Sequence, residues 1–363
     1  MTLFIGDADV RRVLGMEECI AAMERAFAEE ARAVAVNKPR SRYKVPADPA
    51  VPGYMANIIA GAVPSSGVAA LRYDSTVVQE RVVHGQRRVD WLVPSRRSWG
   101  FVLLFSLSTG EPLALIQDFS LSALRVGATT GIAARALAKV GAQRVGLLGS
   151  GNEARRNLEA ICKVRPVRAV RVYSPNEVHR REFAEEMTEL LGVEVQPVTS
   201  AREVVEGADI VMCATSASEP VFDGATLEPG QLVVTIANTD GVHRRTEADS
   251  TTMERCDLLV LNSRDTLISN DQRELLDLVD ACRVGWNKIV ELGQIIAGNH
   301  PGRSGDEQII YYKSNTGVGV QFAAAGALIY EACRREGLGN EVPTEWFGAD
   351  MSGWLDRGFF PSP

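Results

Sequence analysis

The segment Gly149-Ser150-Gly151-Asn152-Glu153-Ala154 constrains the fold of this chain more than any other. It follows the apolar run RVGLL and opens a segment with helical periodicity, NEARRNLEAICKV. In a G-x-G-x-x-A turn, the first glycine permits a tight turn, the second lets a pyrophosphate approach the backbone, and the alanine lets helix and strand pack closely. The helix N-terminus adds N–H donors and a positive partial charge. The segment therefore predicts a βαβ unit that binds a nicotinamide dinucleotide, with a plain glycine turn as the alternative.

Strands and helices alternate on the C-terminal side of this turn. The predicted strands are AVRVYS, VEVQPV, DIVMCAT, LVVTIAN and DLLVLNS. Such continuous apolar strands, separated by helices, indicate a parallel sheet that is covered on both faces. The chain is therefore predicted to have an α/β fold with a Rossmann-type domain.

The N-terminal third of the chain has a different pattern. Residues 37–116 contain short β-rich runs separated by Gly, Pro, Ser and Asp, which predicts a mostly antiparallel sheet. Helices are predicted over residues 17–34, 118–141 and 316–337, the second capped by Asp118 or Ser120 and the third ended by Gly337.

The length of 363 residues favours two domains. We expect residues 1–124 and 316–363, the two ends of the chain, to form an α+β domain together. Residues 125–315 are then the inserted Rossmann domain.

Composition excludes several classes of protein. The net charge of −7 gives no electrostatic support for nucleic-acid binding. The six cysteines form no CxxC pair, so neither a metal site nor a disulfide framework is expected. No apolar stretch approaches the roughly 18 residues that a membrane span needs. The simplest interpretation is a cytoplasmic enzyme without membrane partners.

The end of the second Rossmann strand bears on the choice of coenzyme. An acidic residue there would bind the adenosine ribose of NAD, but this chain has Tyr173-Ser174-Pro175-Asn176. Arg180 and Arg181 follow closely. A hydroxyl, an amide and nearby cations favour NADP, with NAD as the alternative if the two arginines are merely solvated.

Arg125 and Thr129 lie four residues apart and share one face of the predicted helix 118–141. Gly127, Ala128 and Gly131 keep that helix slim. The combination favours contact with a phosphate or a substrate carboxylate, whereas Arg125 alone is equally compatible with a structural ion pair.

Over nearly its whole length the chain resembles the ornithine cyclodeaminase and mu-crystallin family. The segments that carry the resemblance are ALRVGATT, LLGSGNEA, ADIVMCATSASEPVF, LEPGQLVVTIANTD, HPGRSGDEQIIYYKS and the closing helix. The resemblance implies a Rossmann domain and a substrate domain built from both chain ends, which forms a homodimer through its sheet. It also implies hydride transfer at a carbon that bears a nitrogen and lies next to a carboxylate.

The resemblance assigns roles to individual residues. It implies that Arg42, with Arg40 as second choice, grips a substrate carboxylate, and that Arg72 and Arg125 also face the substrate. Arg42 and Arg72 are therefore taken as catalytic candidates. The residues expected to bind the coenzyme are Arg125, Thr129, Thr130, Gly149, Ser150, Gly151, Asn152, Glu153, Ala154, Ser174, Asn176, Arg180, Ala214, Thr215, Ser216 and Asn238.

Two positions depart from the family pattern. Arg72 stands where the family usually has a lysine, and arginine cannot readily exchange a proton. The aspartate of ornithine cyclodeaminases falls on Thr239, with Asp240 one residue later. The proton donor is therefore open among Asp240, Tyr73 and a bound water, with His243 less favoured.

The leading hypothesis is an NAD(P)H-dependent reductase of a C=N bond, or the reverse oxidation of an amino acid. An ornithine cyclodeaminase with catalytic NAD is the runner-up, and a non-catalytic binding protein is the third possibility. The expected partner is a small imine or amino acid that bears a carboxylate. Trp91 and Trp99 are expected to lie in the core or in a dimer surface rather than in a substrate pocket.

Overall fold

The computed structural model describes residues 1–45, 52–83, 86–238, 245–315 and 317–357. For residues 80–83, 86–89 and 355 it describes the backbone alone. The strands in this part of the chain are β1 (Thr2–Ile5), β2 (Val36–Val45), β3 (Gly53–Val63), β4 (Val68–Val83), β5 (Gln86–Leu92), β6 (Trp99–Ser106), β7 (Pro112–Gln117), β8 (Arg144–Leu148), β9 (Ala169–Tyr173), β10 (Glu194–Pro197), β11 (Ile210–Cys213), β12 (Leu232–Thr235), β13 (Leu258–Leu261), β14 (Ile289–Glu291), β15 (Ile310–Lys313) and β16 (Asn340–Val342). The helices are α1 (Asp7–Val13), α2 (Met16–Ala31), α3 (Phe119–Leu137), α4 (Asn152–Val164), α5 (Glu177–Leu191), α6 (Ala201–Val205), α7 (Ser250–Arg255), α8 (Arg264–Ser269), α9 (Arg273–Asp280), α10 (Leu292–Ile296), α11 (Gly319–Glu336) and α12 (Ser352–Leu355).

The first sheet joins the two ends of the chain. Its strand order is β16-β1-β7-β6-β4-β3-β2, and β5 pairs with β4. The strands from β2 to β7 pair antiparallel, whereas β1 pairs parallel with β7 and antiparallel with β16. The antiparallel sheet predicted for residues 37–116 is confirmed. One register row crosses it from Arg42 to Asn57, Asp74 and Gly100.

The second sheet is parallel throughout, as the alternation of strands and helices predicted. Its order is β10-β9-β8-β11-β12-β15-β13-β14. From β8 the chain moves outward through β9 and β10, then returns to place β11 on the other side of β8. This reversal opens a crevice at the carboxyl ends of β8 and β11, which is where open α/β sheets bind ligands. Sequence reasoning did not predict β14 and β15 as strands.

Helix α3 connects the two sheets and packs closely against α4. A Cβ placed on Gly127 would lie 2.5 Å from the carbonyl oxygen of Arg156, so the helices can approach this closely only with glycine there. The prediction that small residues keep α3 slim is confirmed. The expected domain boundary between residues 124 and 125 lies inside α3.

Helix α11 lies against the inner face of the first sheet. A Cβ on Gly61 would lie 2.5 Å from the backbone of Gly319, and one on Gly326 would lie 2.9 Å from Leu104. Gly337 ends the helix with φ of 65°, in the left-handed conformation that glycine favours. The predicted end of this helix at Gly337 is therefore confirmed, and its first turn is brought against strand β3.

A single apolar cluster extends beneath the first sheet and along one face of the second, and another cluster covers the opposite face of the second sheet. None of the helices in the described ranges is both long enough and apolar enough to cross a membrane.

Candidate functional site

The glycine turn between β8 and α4 has the features that a dinucleotide pyrophosphate needs. Gly149 has φ of 114°, and a side chain there would overlap the carbonyl oxygen of Ala214 at the end of the neighbouring strand. A Cβ on Gly151 would meet open space. Gly151 is the N-cap residue of α4, and no described side chain caps that helix. The N–H groups at the start of α4 are therefore available to an anion.

The loop after β9 meets this turn through two hydroxyl groups. Ser150 donates a hydrogen bond to Oγ of Ser174 at 2.9 Å. Asn176 caps α5 by accepting from the backbone N–H of His179. Because its amide oxygen is used in this way, Asn176 has mainly a structural role in this arrangement.

Arg180 and Arg181 behave differently. Arg180 is only 8% exposed, donates to the carbonyl oxygen of Ser174 at 2.6 Å and lies over the Tyr173 ring. The alternative in which Arg180 is a solvated helix residue is therefore wrong. Arg181 lies at the surface and pairs with Glu177 at 2.7 Å. The cation beside Ser174 is thus Arg180, whose hydrogen bond to the carbonyl oxygen of Ser174 stabilises the end of β9.

The ends of β11 and β12 complete this edge of the parallel sheet. Ala214 follows β11 directly and donates from its N–H to the carbonyl oxygen of Leu148 at 2.8 Å. Asn238 donates from Nδ2 to the carbonyl oxygens of Ile236 and Ser314. Its Oδ1 is buried and accepts no hydrogen bond within the described part of the chain. A buried acceptor without a donor is rare, so Oδ1 marks a position where a ligand donor would be favoured.

Two of the predicted arginines meet above one aromatic ring on α11. The guanidinium carbons of Arg72 and Arg125 lie 5.4 and 4.7 Å from the ring centroid of Phe322. Arg72 pairs with Asp118 at 2.6 Å and with Asp74 at 2.7 Å. Arg125 donates to Oε1 of Gln321 at 2.8 Å.

The third predicted arginine joins this group through the sheet. Arg42 donates from Nε to Oδ1 of Asn57 at 2.6 Å, and Asn57 donates from Nδ2 to Asp74 at 2.6 Å. Asp74 in turn binds Arg72. The structure therefore brings Arg42, Arg72 and Arg125 together with Asp74 and Asp118.

The charges of these groups respond to burial and to one another. Burial and, to a smaller extent, the neighbouring Arg72 lower the pKa of Arg125 to about 10. Burial also opposes the charge of Arg72, but Asp118 and Asp74 outweigh that effect and raise its pKa. Burial raises the pKa of Glu153 to about 7, although Arg125 and Arg156 act in the opposite direction. Arg125 thus lies within electrostatic range of both Arg72 and the glycine turn.

Several predicted site residues are placed elsewhere. Thr129 and Thr130 are completely buried, so a phosphate cannot reach either hydroxyl in this arrangement. Thr129 instead donates to the carbonyl oxygen of Arg125 and accepts from Gln321. Tyr73 hydrogen bonds with Tyr43 and Tyr54, and its neighbour Arg72 points to the opposite face of β4. Tyr73 is therefore not positioned as the proton donor.

Trp91 and Trp99 are 54% and 60% exposed, so their assignment to the core is wrong and their assignment to a surface stands. Arg40 donates from Nε to Oδ1 of Asn270, at the end of α8. Thr239, Asp240 and His243 lie outside the described residues.

Sequence reasoning missed five residues that hold the arginines, namely Asn57, Asp74, Asp118, Gln321 and Phe322. Asp118 was expected to cap α3, and it does occupy the N-cap position, but its carboxylate binds Arg72 instead of a helix N–H. Phe322 and Gln321 lie almost 200 residues from Arg125, and no local pattern could have paired them.

Known proteins are similar to this chain in sequence and in fold. The chain is 30% identical over 271 residues to the Delta(1)-pyrroline-2-carboxylate reductase of Bacillus thuringiensis subsp. konkukian, which covers 74% of this chain and 78% of that protein. It is 28% identical over 240 residues to the mouse ketimine reductase mu-crystallin, covering 66% and 71% of the two chains. The structure of Thermococcus litoralis Delta(1)-pyrroline-2-carboxylate reductase in complex with NADH and L-proline matches with a TM-score of 0.82 and 28% identity, covering 94% of this chain and all of that one.

The sequence profile of the ornithine cyclodeaminase/mu-crystallin family matches residues 2–337, which include the parallel sheet, the described strands of the first sheet other than β16, and the arginine group. The matched range also contains the glycine turn. The chain belongs to the ornithine cyclodeaminase/mu-crystallin family.

Proposed function

We propose that this protein is an NAD(P)H-dependent oxidoreductase that reduces a C=N bond next to a carboxylate, or catalyses the reverse oxidation of a C–N bond. The observation that carries the proposal is the pair Arg72 and Arg125 over Phe322, together with the close packing of α3 against α4, which follows the glycine turn. A site for an anionic substrate thus adjoins a site for a dinucleotide.

The arginines hold and orient the acid in this proposal. Arg72 and Arg42 have planar guanidinium groups that suit a carboxylate, and both are fixed by side-chain hydrogen bonds. Arg125 is held by Gln321 and adds a third positive charge to the proposed carboxylate site. A bound nicotinamide supplies the hydride. The arginines also fix the orientation of the acid. Because their positive charges offset the negative charge of the carboxylate, the adjacent imine carbon becomes more electrophilic.

The relatives act on substrates of this kind. The bacterial and archaeal relatives are named for reduction of Delta(1)-pyrroline-2-carboxylate, and mouse mu-crystallin is named a ketimine reductase. We propose the same class of substrate here, a small imino acid or the corresponding amino acid.

For the coenzyme we propose NADP in preference to NAD. Ser174 stands where an acidic residue would repel a 2′-phosphate, and Arg180 lies directly beside it. The residues at the turn and strand ends that we propose to contact the coenzyme are Gly149, Ser150, Gly151, Asn152, Glu153, Ala154, Ser174, Ala214, Thr215, Ser216 and Asn238.

A proton must reach the substrate nitrogen. Asp240 remains our candidate donor from the sequence, and an Asp240→Asn variant tests it. Loss of turnover with unchanged coenzyme affinity supports this role. Unchanged turnover leaves a bound water as the donor.

The function is tested by following NADPH and NADH oxidation with cyclic imino acids, and with 2-oxo acids plus amines. Turnover that requires the carboxylate supports the proposal. Release of ammonia from ornithine without net coenzyme reduction would identify a cyclodeaminase instead. Tight NADPH binding with no turnover, unaffected by Arg72→Ala, would identify a non-catalytic binding protein.

We also propose a homodimer formed through the outer face of the first sheet, where Tyr43, Trp99 and Phe101 are exposed. Residues 1–124 and 316–363 then serve substrate binding and dimerisation, and residues 125–315 bind the coenzyme. We further propose a cytoplasmic location, which the free cysteines fit.

A further inference from the structure

Glu247 is a buried carboxylate that none of the roles above uses. It is 1% exposed and lies seven residues after Asp240 in the sequence. Its Oε1 accepts hydrogen bonds from the N–H and the hydroxyl of Thr215, at 2.6 and 2.8 Å. Its Oε2 accepts from the N–H groups of Ile236 and Ala237, each at 2.8 Å. One side chain therefore satisfies four donors.

These four donors belong to the ends of two neighbouring strands. Thr215 lies just beyond β11, while Ile236 and Ala237 lie just beyond β12, and the two strands pair in parallel. The carbonyl oxygen of Glu247 also accepts from the N–H of Val221, so its backbone is anchored to the segment that follows β11. Glu247 thus joins both strand ends at the edge of the sheet where ligands bind.

The strand order decides which half of a dinucleotide this edge would meet. The glycine turn follows β8, and Ser174 follows β9 on one side of it. In a Rossmann fold the adenosine ribose is bound at that second strand, and the pyrophosphate lies at the turn. The ends of β11 and β12 lie on the opposite side of β8, where the remaining half of the dinucleotide must extend.

Asn238 connects Glu247 to that half. Asn238 follows Ala237, and the N–H of Ala237 donates a hydrogen bond to Glu247. Nδ2 of Asn238 donates to the carbonyl oxygen of Ile236. Its Oδ1 is the buried acceptor without a partner in the described residues. The placement of Oδ1 therefore depends on the backbone that Glu247 orders.

We propose that Glu247 is a positioning residue that orders the ends of β11 and β12 for the nicotinamide half of the coenzyme. The inference rests on the proposed function, because it assumes that a nicotinamide dinucleotide binds. It predicts that loss of this carboxylate weakens the binding of a whole dinucleotide more than the binding of a fragment that lacks nicotinamide.

The chemistry of substitution follows from the donor set. In Glu247→Gln one oxygen becomes an NH₂ group, which faces N–H donors and cannot accept from them. The donors of one strand end then lose their acceptor while the volume is unchanged. In Glu247→Asp the carboxylate is kept but is one methylene shorter, so it reaches one strand end and not both.

The experiment measures binding to the full-length protein in the absence of substrate. NADPH and NADH are titrated against wild type and Glu247→Gln, in parallel with 2′-phospho-ADP-ribose and ADP-ribose, which lack nicotinamide. We expect the Kd for the preferred dinucleotide to rise by about 10-fold, a loss of about 1.4 kcal/mol. We expect the Kd for the matching fragment to stay within about 2-fold, because it binds at the turn and at β9.

A matched control is Asp249→Asn. Asp249 lies two residues away and also accepts several hydrogen bonds, from Thr252 and Gly224, but it caps α7 and touches neither strand end. The Asp249→Asn variant should leave the ratio of the Kd for the dinucleotide to the Kd for the fragment unchanged. Should Glu247→Gln fail to fold, Glu247→Asp replaces it with the same expected separation of the two ligands.

Equal weakening of dinucleotide and fragment, or no weakening of either, would overturn the positioning role. Failure of the wild-type protein to bind either dinucleotide would instead overturn the proposed function. Faster hydrogen exchange at the amides of Thr215, Ile236 and Ala237 in the variant is expected as a second readout, since those N–H groups lose part of their acceptor set.

Discussion

Arg72 donates a hydrogen bond from Nε to Oδ2 of Asp118 over 2.6 Å. Asp118 occupies the N-cap position of α3, yet its side chain makes no hydrogen bond to the helix backbone. An aspartate at this position would ordinarily accept from the first-turn N–H groups. The carboxylate of Asp118 therefore binds Arg72. This contact joins the start of α3 to strand β4 at the site proposed for the substrate carboxylate.

Replacement of Arg72 by glutamine should lower kcat/KM for the acid by roughly 100-fold, because a charge-assisted hydrogen bond to the carboxylate is lost. The Kd for NADPH should change by less than about 3-fold, since Arg72 lies on the first sheet and not at the glycine turn. Steady-state kinetics and fluorescence titration measure the two quantities. Arg135→Gln, which breaks the exposed pair with Glu24, is the control. Unchanged kcat/KM in Arg72→Gln would contradict its role.

Phe322→Leu should weaken substrate binding because it removes the ring beneath both Arg72 and Arg125. We expect the KM for the acid to rise several-fold and the free energy of unfolding to fall by about 1–2 kcal/mol. Phe183→Leu is a matched control, since Phe183 is also fully buried beneath an arginine, Arg155. The control should lose similar stability in chemical denaturation but keep its KM. An equal rise of KM in both variants would mean that general destabilisation is the cause.

Ser174→Asp should reverse the proposed coenzyme preference. A carboxylate at the end of β9 repels a 2′-phosphate and accepts hydrogen bonds from ribose hydroxyls. We expect the Kd for NADPH to rise by more than about 10-fold while that for NADH falls or is unchanged. Ser200→Asp, at the N-cap of α6, should alter neither affinity. A wild-type protein that already prefers NADH would refute the assignment of NADP.

Glu153 should make folding stability depend on pH. Burial raises its pKa from the usual 4.5 to about 7 in the folded protein. A raised folded pKa contributes stability that is fully present below about pH 4.5 and is lost as the pH rises through about 7. Glu153→Gln does not titrate, so its stability relative to wild type should increase between pH 5 and pH 8 by about 1–3 kcal/mol. Urea unfolding across this range measures it.

Glu182→Gln is the control for that experiment, because Glu182 is exposed on α5. It should follow the pH dependence of wild type. If the free energies of unfolding of Glu153→Gln and wild type differ by the same amount at every pH, Glu153 does not titrate in this range.

Phe101→Asp should dissociate the proposed dimer. Phe101 lies on the outer face of the first sheet, stacks on Tyr73 and is 38% exposed. A buried carboxylate without a partner is costly in an interface of the standard size. Light scattering after gel filtration should show a monomer. Val140→Asp, at an exposed position outside that sheet, should keep the oligomeric state of wild type. A dimer that survives Phe101→Asp would place the interface elsewhere.

Periodicity and turn chemistry act over short distances, and the features they predicted are local. The βαβ unit at Gly149, the antiparallel sheet of residues 37–116 and the end of α11 at Gly337 all follow from neighbouring residues. Strand β15 was not predicted because Ile310–Lys313 (IYYK) lacks the uninterrupted aliphatic run that identified the equally short strands β11, β12 and β13. A short apolar run carries no periodicity that separates strand from buried helix.

The sequence by itself determined the dinucleotide turn, since the φ of 114° at Gly149 and the open space at Gly151 are properties that only particular residue types allow. It also identified Arg42, Arg72 and Arg125 through the family resemblance. Only the tertiary structure decided which groups hold those arginines. Phe322 and Gln321 meet Arg125 because α11 returns from the far end of the chain, and Glu247 joins two strand ends because the parallel sheet sets them side by side. Such contacts depend on the register and order of strands, which no local pattern of residues encodes.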